Sequence, residues 1–160
     1  MSTEALSTEA PINAQIEDAD VEELVAMVWE SVIGEPVYQT GPEGDRSGWL
    51  VGTVDVAGPW PGEIAILAPT ALADHLAVVL FALDADQVTE ADRTDALGEL
   101  TNMTGGNLKA LVEGSNQLGL PEVSQLTTGW DEAVKGRTVL VEMWFSAAGH
   151  SFSVRITQPG

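Results

Sequence analysis

Residues 89–112, Thr89-Glu90-Ala91-Asp92-Arg93-Thr94-Asp95-Ala96-Leu97-Gly98-Glu99-Leu100-Thr101-Asn102-Met103-Thr104-Gly105-Gly106-Asn107-Leu108-Lys109-Ala110-Leu111-Val112, decide how this chain is read. Thr89 with Asp92 three residues on offers a helix N-cap, and Gly114 lies just past the other end. At about 100° per residue, Leu97, Leu100, Thr104, Leu108 and Leu111 fall in a stripe roughly 80° wide, which must face the core. Asp95, Glu99, Asn102, Gly106 and Lys109 fall in a second stripe, also roughly 80° wide, on the opposite, outward side. Glu99 and Asn102 stand at i and i+3, so their Cβ atoms are about 5–6 Å apart and both side chains can act on one small target. By itself, an acid and an amide at this spacing also fits an ordinary solvated face.

Gly98, Gly105 and Gly106 are unexpected, because each glycine inside a helix costs about 1 kcal/mol relative to alanine. Two readings are open. Missing side chains could let another protein approach the helix backbone, or they could serve packing on a sheet or helix, or a break near Gly105-Gly106.

Outward from this helix, Pro69-Thr70 opens another that runs to about Leu83. An earlier one runs from Val21 through Leu24, Val25, Val28, Trp29 and Val32 to a stop at Gly34 and Pro36. Strands are expected over Val37–Thr40, Gly48–Val56 and Glu63–Leu67 as an antiparallel meander, with turns at Gly41-Pro42 and Gly58-Pro59-Trp60-Pro61-Gly62. Three more are expected after the long helix, at about Glu122–Thr128, Thr138–Ala147 and Ser151–Thr157. Strands and helices come in runs and do not alternate, which predicts an α+β fold, an antiparallel sheet with helices packed on it. The first twenty residues, with Ser-Thr-Glu-Ala at 2–5 and again at 7–10, are expected to be a disordered acidic tail, leaving a single domain over 21–160.

Composition narrows the function. At 160 residues and 44% hydrophobic, the chain can bury one core. Twenty-five acidic residues against six basic ones give a formal charge of −19, which repels nucleic acid and anionic lipid. The longest apolar run, Leu76 to Leu83, is far short of the ~20 residues that span a bilayer. With no cysteine and no basic, apolar leader, a cytoplasmic location is expected. His75 and His150 have no GxSxG elbow beside them, so a hydrolase triad is not expected. Asp84-Ala85-Asp86 lacks the later glycine and glutamate of a calcium loop and reads as an interhelical turn. The five tryptophans read as core fillers, although Trp60 between two prolines could be exposed.

The string from Asp95 to Asn107 resembles the signature of the CheC/CheX/FliY family of chemotaxis phosphatases: an acid or serine, three residues, Glu, two residues, Asn. Asp95, Glu99 and Asn102 fill it, and the chain, read as carrying one such Glu-x-x-Asn, is most similar to the single-site CheX-like branch. The proline that such proteins carry downstream comes early here, at Pro121. The resemblance implies a CheX-like fold and hydrolysis of the phosphoaspartate on a response regulator's receiver domain. Asn102 would orient the attacking water and Glu99 would engage a lysine of the regulator. It implies no cofactor of the chain's own, Mg²⁺ on the partner regulator, and a homodimer. Asp95, Gly98, Gly106 and Lys109 become candidate partner contacts, although Asp95 could instead favour the helix dipole and Lys109 could simply be solvated. With no GxxxxGK loop and few cations, the partner must bring the positive charge. A non-catalytic, regulator-binding scaffold is the second reading.

Overall fold

The computed structural model describes residues 16–127 and 129–160, so most of the expected acidic tail, residues 1–15, lies outside them, as does Thr128. In chain order the elements are α1 (Asp18–Ile33), β1 (Tyr38–Thr40), β2 (Leu50–Ala57), β3 (Gly62–Ala68), α2 (Thr70–Phe81), α3 (Glu90–Lys109), β4 (Gln117–Leu118), β5 (Glu122–Gln125), β6 (Arg137–Ala147) and β7 (His150–Pro159). The strands make one sheet in the order β1-β6-β7-β3-β2-β4, with β5 also paired to β2 and every pairing antiparallel. This is the expected α+β arrangement.

The sheet is covered on both faces, and β3 shows why. Ile64, Ile66 and Ala68 join the main core with the helices, while Ala65 and Leu67 join a smaller cluster with Trp49, Trp130 and Trp144. A strand buried on both faces reads as a continuous apolar run rather than an alternation. Behind the smaller cluster lies Arg155, 1% exposed. Its guanidinium stacks 3.6 Å from the Trp130 ring centroid and donates to the Trp130 carbonyl at 2.6 Å and to the Glu142 carboxylate at 3.2 and 3.3 Å. A buried cation is tolerated only with such a full set of partners. Trp60 also lies inside, 1% exposed, rather than at the surface as its two prolines allowed.

Three expectations need correction. The meander fails at its first strand: β2 and β3 form a hairpin, but β1 pairs with β6 at the far edge, Tyr38 opposite Ser146. The link over 41–49 is too long for a tight turn and leaves β1 free to travel. By contrast, β6 and β7 are joined through Ala148 and Gly149, with φ of 52° and 82°, as a two-residue hairpin of the primed class requires. Second, α1 starts at Asp18, ahead of Val21, where the Glu17 N–H donates to the Asp20 carboxylate at 3.1 Å and Ile16 is buried. Third, Leu111 is 45% exposed, because α3 stops at Lys109 and the helical stripe no longer governs where it points.

The long helix keeps the rest of its predicted geometry. Leu97, Leu100, Thr104 and Leu108 are buried, and the helix runs unbroken through Gly105-Gly106. The Trp29 indole of α1 stacks on Phe152 of β7 at 3.8 Å and donates to the Thr104 hydroxyl at 3.3 Å, tying α3 to α1 and the sheet. Gly105 is a packing glycine: a Cβ there would lie 2.6 Å from Val54 Cγ1 and 3.1 Å from Leu118 Cδ1. At Gly106 the nearest atom would be 4.0 Å away. Gly105→Ala should therefore destabilise by about 1–3 kcal/mol through overpacking, while Gly106→Ala should stabilise by up to about 1 kcal/mol through helix propensity. Urea unfolding of both variants checks this, and equal midpoints would contradict the seating of α3 described here.

Candidate functional site

The helix α3 is fixed at its start by a reciprocal cap. Asp92 N–H donates to Thr89 Oγ1 at 3.2 Å, and Thr89 N–H donates to the Asp92 carboxylate at 3.0 Å. One turn on, Arg93 is held by Asp74 of α2 at 2.7 Å. With the inner stripe buried on the sheet, the outward stripe has no choice of direction. Asp95 and Glu99 are exposed, and Asn102, Gly106 and Lys109 are partly exposed.

Four of the α3 residues, Asp95, Gly98, Glu99 and Asn102, line one cleft of about 560 Å³. Thr94 joins them from the same helix. The rest of the lining is Leu120 and Pro121 from the β4–β5 connection, Val123 of β5, and Phe81 from the last turn of α2. The cleft therefore brings together Asp95, Gly98, Glu99 and Asn102 of the sequence-predicted residues. Gly106 and Lys109 lie further along the helix and are not among its lining residues. Gly98 is buried, with Val123 and Pro121 carbons 3.7 and 4.0 Å from where a Cβ would stand. Pro121, early in sequence relative to the resembled pattern, is thus placed directly against the signature helix.

The polar groups lining this cleft are two carboxylates, Asp95 and Glu99, one amide and one hydroxyl, with no lysine or arginine among them. Elsewhere on this part of the chain amides are already committed. Asn107 donates to the Met103 carbonyl at 2.9 Å, whereas no side-chain hydrogen bond involves Asn102 among the described residues. Also among the described residues, no three His, Asp or Glu side chains come together as metal ligands. Chemically, the site can orient a small neutral molecule through an amide and engage a cation through a carboxylate. It cannot on its own neutralise a phosphoryl group.

The sequence reading of a single Glu-x-x-Asn needs correction, because Glu113 and Asn116 repeat the spacing. They sit beyond the end of α3, with Lys109 where the signature wants an acid or serine. Asn116 is buried there: its Oδ1 accepts from Trp60 N–H at 2.9 Å and its Nδ2 donates to the Glu113 carbonyl at 3.1 Å. This second amide closes a turn. Sequence reasoning missed Phe81, Thr94, Leu120 and Val123 as site residues. The one available signal was a leucine placed between Gly119 and Pro121, where a turn has no core to fill.

Comparison with known proteins finds the same architecture. Residues 50–141 match the family described as chemotaxis phosphatase CheX. Among solved structures, the chemotaxis protein CheX of Vibrio vulnificus is similar with a TM-score of 0.68 at 18% identity, over 89% of this chain and 96% of that one. A CheX–CheY–BeF3–Mg complex from Borrelia burgdorferi gives 0.66 at 19% identity, over 86% and 95%. Thermotoga maritima FliY gives 0.57 at 15%, over 88% and 84%. The comparison with curated proteins finds no match. The family match takes in more than half of the chain, including all of α3 with Asp95, Glu99 and Asn102, and so this chain belongs to the chemotaxis phosphatase CheX family.

Proposed function

We propose that the chain hydrolyses the phosphoaspartate of a response regulator's receiver domain in the cytoplasm, with Asn102 and Glu99 as its two working side chains. The observation that carries this reading is their shared place, one helical turn apart, on the outward face of α3 in a cleft with no basic side chain. The Asn102 carbonyl oxygen accepts a hydrogen bond from a water and holds it in line with the phosphorus. The water oxygen forms the new P–O bond, the bond to the aspartyl oxygen breaks with its electron pair, and the water's proton passes to the phosphate or solvent. Such a transfer asks for alignment and charge neutralisation more than for a protein nucleophile. An amide suits the first task because it does not titrate. Glu99 engages the regulator's lysine, and Mg²⁺ on the regulator supplies the charge that the cleft lacks. Asp95, Gly98, Gly106 and Lys109 are assigned to the partner's surface around this pair.

Family membership supports the phosphatase class. The test is phosphoryl loss from a panel of receiver domains with Mg²⁺ present. Wild type should accelerate loss for one regulator, and Asn102→Ala or Glu99→Ala should lower that acceleration by about a hundredfold or more, the scale set by losing alignment. Binding of a regulator without faster loss would replace this reading with the scaffold.

We also propose that two copies of the chain associate through β6. β1 covers only Trp144 to Ser146 of that strand, so the stretch from Arg137 to Met143 is paired on one side alone, with Thr138 and Val139 exposed. An open edge of this kind is a ready template for a second strand. Sedimentation equilibrium should give a dimer for wild type and a monomer for Val139→Pro. A wild-type monomer at micromolar concentration would remove the proposal.

A further inference from the structure

The cleft has an apolar side that the proposed hydrolysis does not use. Leu120 is 87% exposed and Phe81 41% exposed. A single exposed leucine is unremarkable on a protein surface. These two, however, border the same cleft as Glu99 and Asn102, together with Pro121 and Val123. Leu120 is also held outward. Gly119 N–H donates to the Asp55 carbonyl at 2.8 Å on one side, Pro121 packs over Gly98 on the other, and both flanking strands pair with β2. Leu118 has taken the inward place, beside Gly105 and Gly106. The connection is too short and too firmly fixed for Leu120 to follow it.

The charge of the cleft says what such a lip is for. Two carboxylates and no cation line it, so a free phosphorylated small molecule meets repulsion and gains little contact. A phosphoryl group can enter only when its own carrier neutralises it, and binding energy must then come from surface around the reacting atoms. We infer that Leu120 and Phe81 seat an apolar side chain of the receiver domain next to its phosphorylated aspartate, and that this contact sets affinity and choice of regulator rather than the rate of hydrolysis. The inference rests on the phosphatase reading for the identity of the partner. The complementary regulator carries an apolar residue beside its phosphorylation site on an otherwise basic face, matching the chain's charge of −19.

Steady-state phosphoryl loss with Leu120→Ser and Phe81→Ser tests it. Each should raise KM for the phosphorylated receiver about tenfold, the effect of losing one well-buried apolar contact. The kcat should stay within twofold, while Asn102→Ala lowers kcat. Calorimetric titration of Asn102→Ala and of Asn102→Ala with Leu120→Ser by the Mg²⁺-loaded, phosphorylated receiver reads the lip without turnover, and should show the same loss of affinity. Unchanged KM and Kd in both lip variants, with wild type active, overturns the inference and leaves the phosphatase reading intact. A change in the chain's own sedimentation with no change in KM also overturns it, assigning the lip to self-association. Loss of the phosphatase reading shows differently: no regulator is dephosphorylated by wild type at all.

Discussion

Everything functional here depends on how closely α3 lies on the sheet. Thr101 packs where Gly52 of β2 has no side chain, since a Cβ there would overlap the Thr101 hydroxyl, and Gly105 admits Val54 in the same way. Two glycines, one on each element, thus let a side chain of the facing element sit directly against the backbone and bring helix and strand close together. The Thr101 hydroxyl is buried in that contact and donates to the Leu97 carbonyl at 2.8 Å, and the Thr104 hydroxyl, buried against Trp29, donates to the Leu100 carbonyl at 2.7 Å, so burial leaves neither group unpaired. A helix held in this way cannot rotate, and Glu99 and Asn102 are fixed outward by the burial of residues two and three positions away from them.

The same rigidity separates the helix's two glycine roles, which are indistinguishable in sequence. Gly105 is filled by Val54 and Leu118, whereas Gly98 is roofed by Pro121 and Val123 and forms part of the cleft. The cleft then depends on the β4–β5 connection, whose short strands pair with β2 as α3 packs against it. Helix, proline and leucine are thereby referred to a single strand, so the acid-amide pair and the apolar lip keep a constant spacing. In the proposed reaction, an acidic chain of this kind leaves the positive charge of phosphoryl chemistry to its partner, and supplies alignment and contact instead.

Much of this was legible in the sequence, for identifiable reasons. The period of Leu97, Leu100, Thr104 and Leu108 oriented α3 correctly because a strong apolar stripe leaves one orientation. It failed at Leu111, where the helix had ended. Strand positions were readable from apolar runs and turns. Pairing was not, because β1 has three residues, all exposed, and nothing local to show that Ser146 would be its partner. The two-residue β4 is too short for any period to reveal. Glu99 and Asn102 could be picked out by spacing and family signature, but Phe81 and Leu120, which line the same cleft, are remote in sequence and brought near only by the fold. The repeat of the spacing at Glu113 and Asn116 shows the limit of a motif: what separates the two is whether a helix presents the amide or a turn consumes it.

The most direct test of the account is to map contact on the ¹⁵N-labelled chain as it is titrated with the Mg²⁺-loaded, phosphorylated receiver domain whose decay it accelerates, using Asn102→Ala to prevent turnover. The account predicts that amide shifts concentrate on Asp95 to Gly106 of α3, on Gly119 to Val123 and at Phe81, while Trp130 and Arg155 on the other sheet face stay silent. Shifts centred on Trp130 and Trp49, with α3 unperturbed, would contradict it.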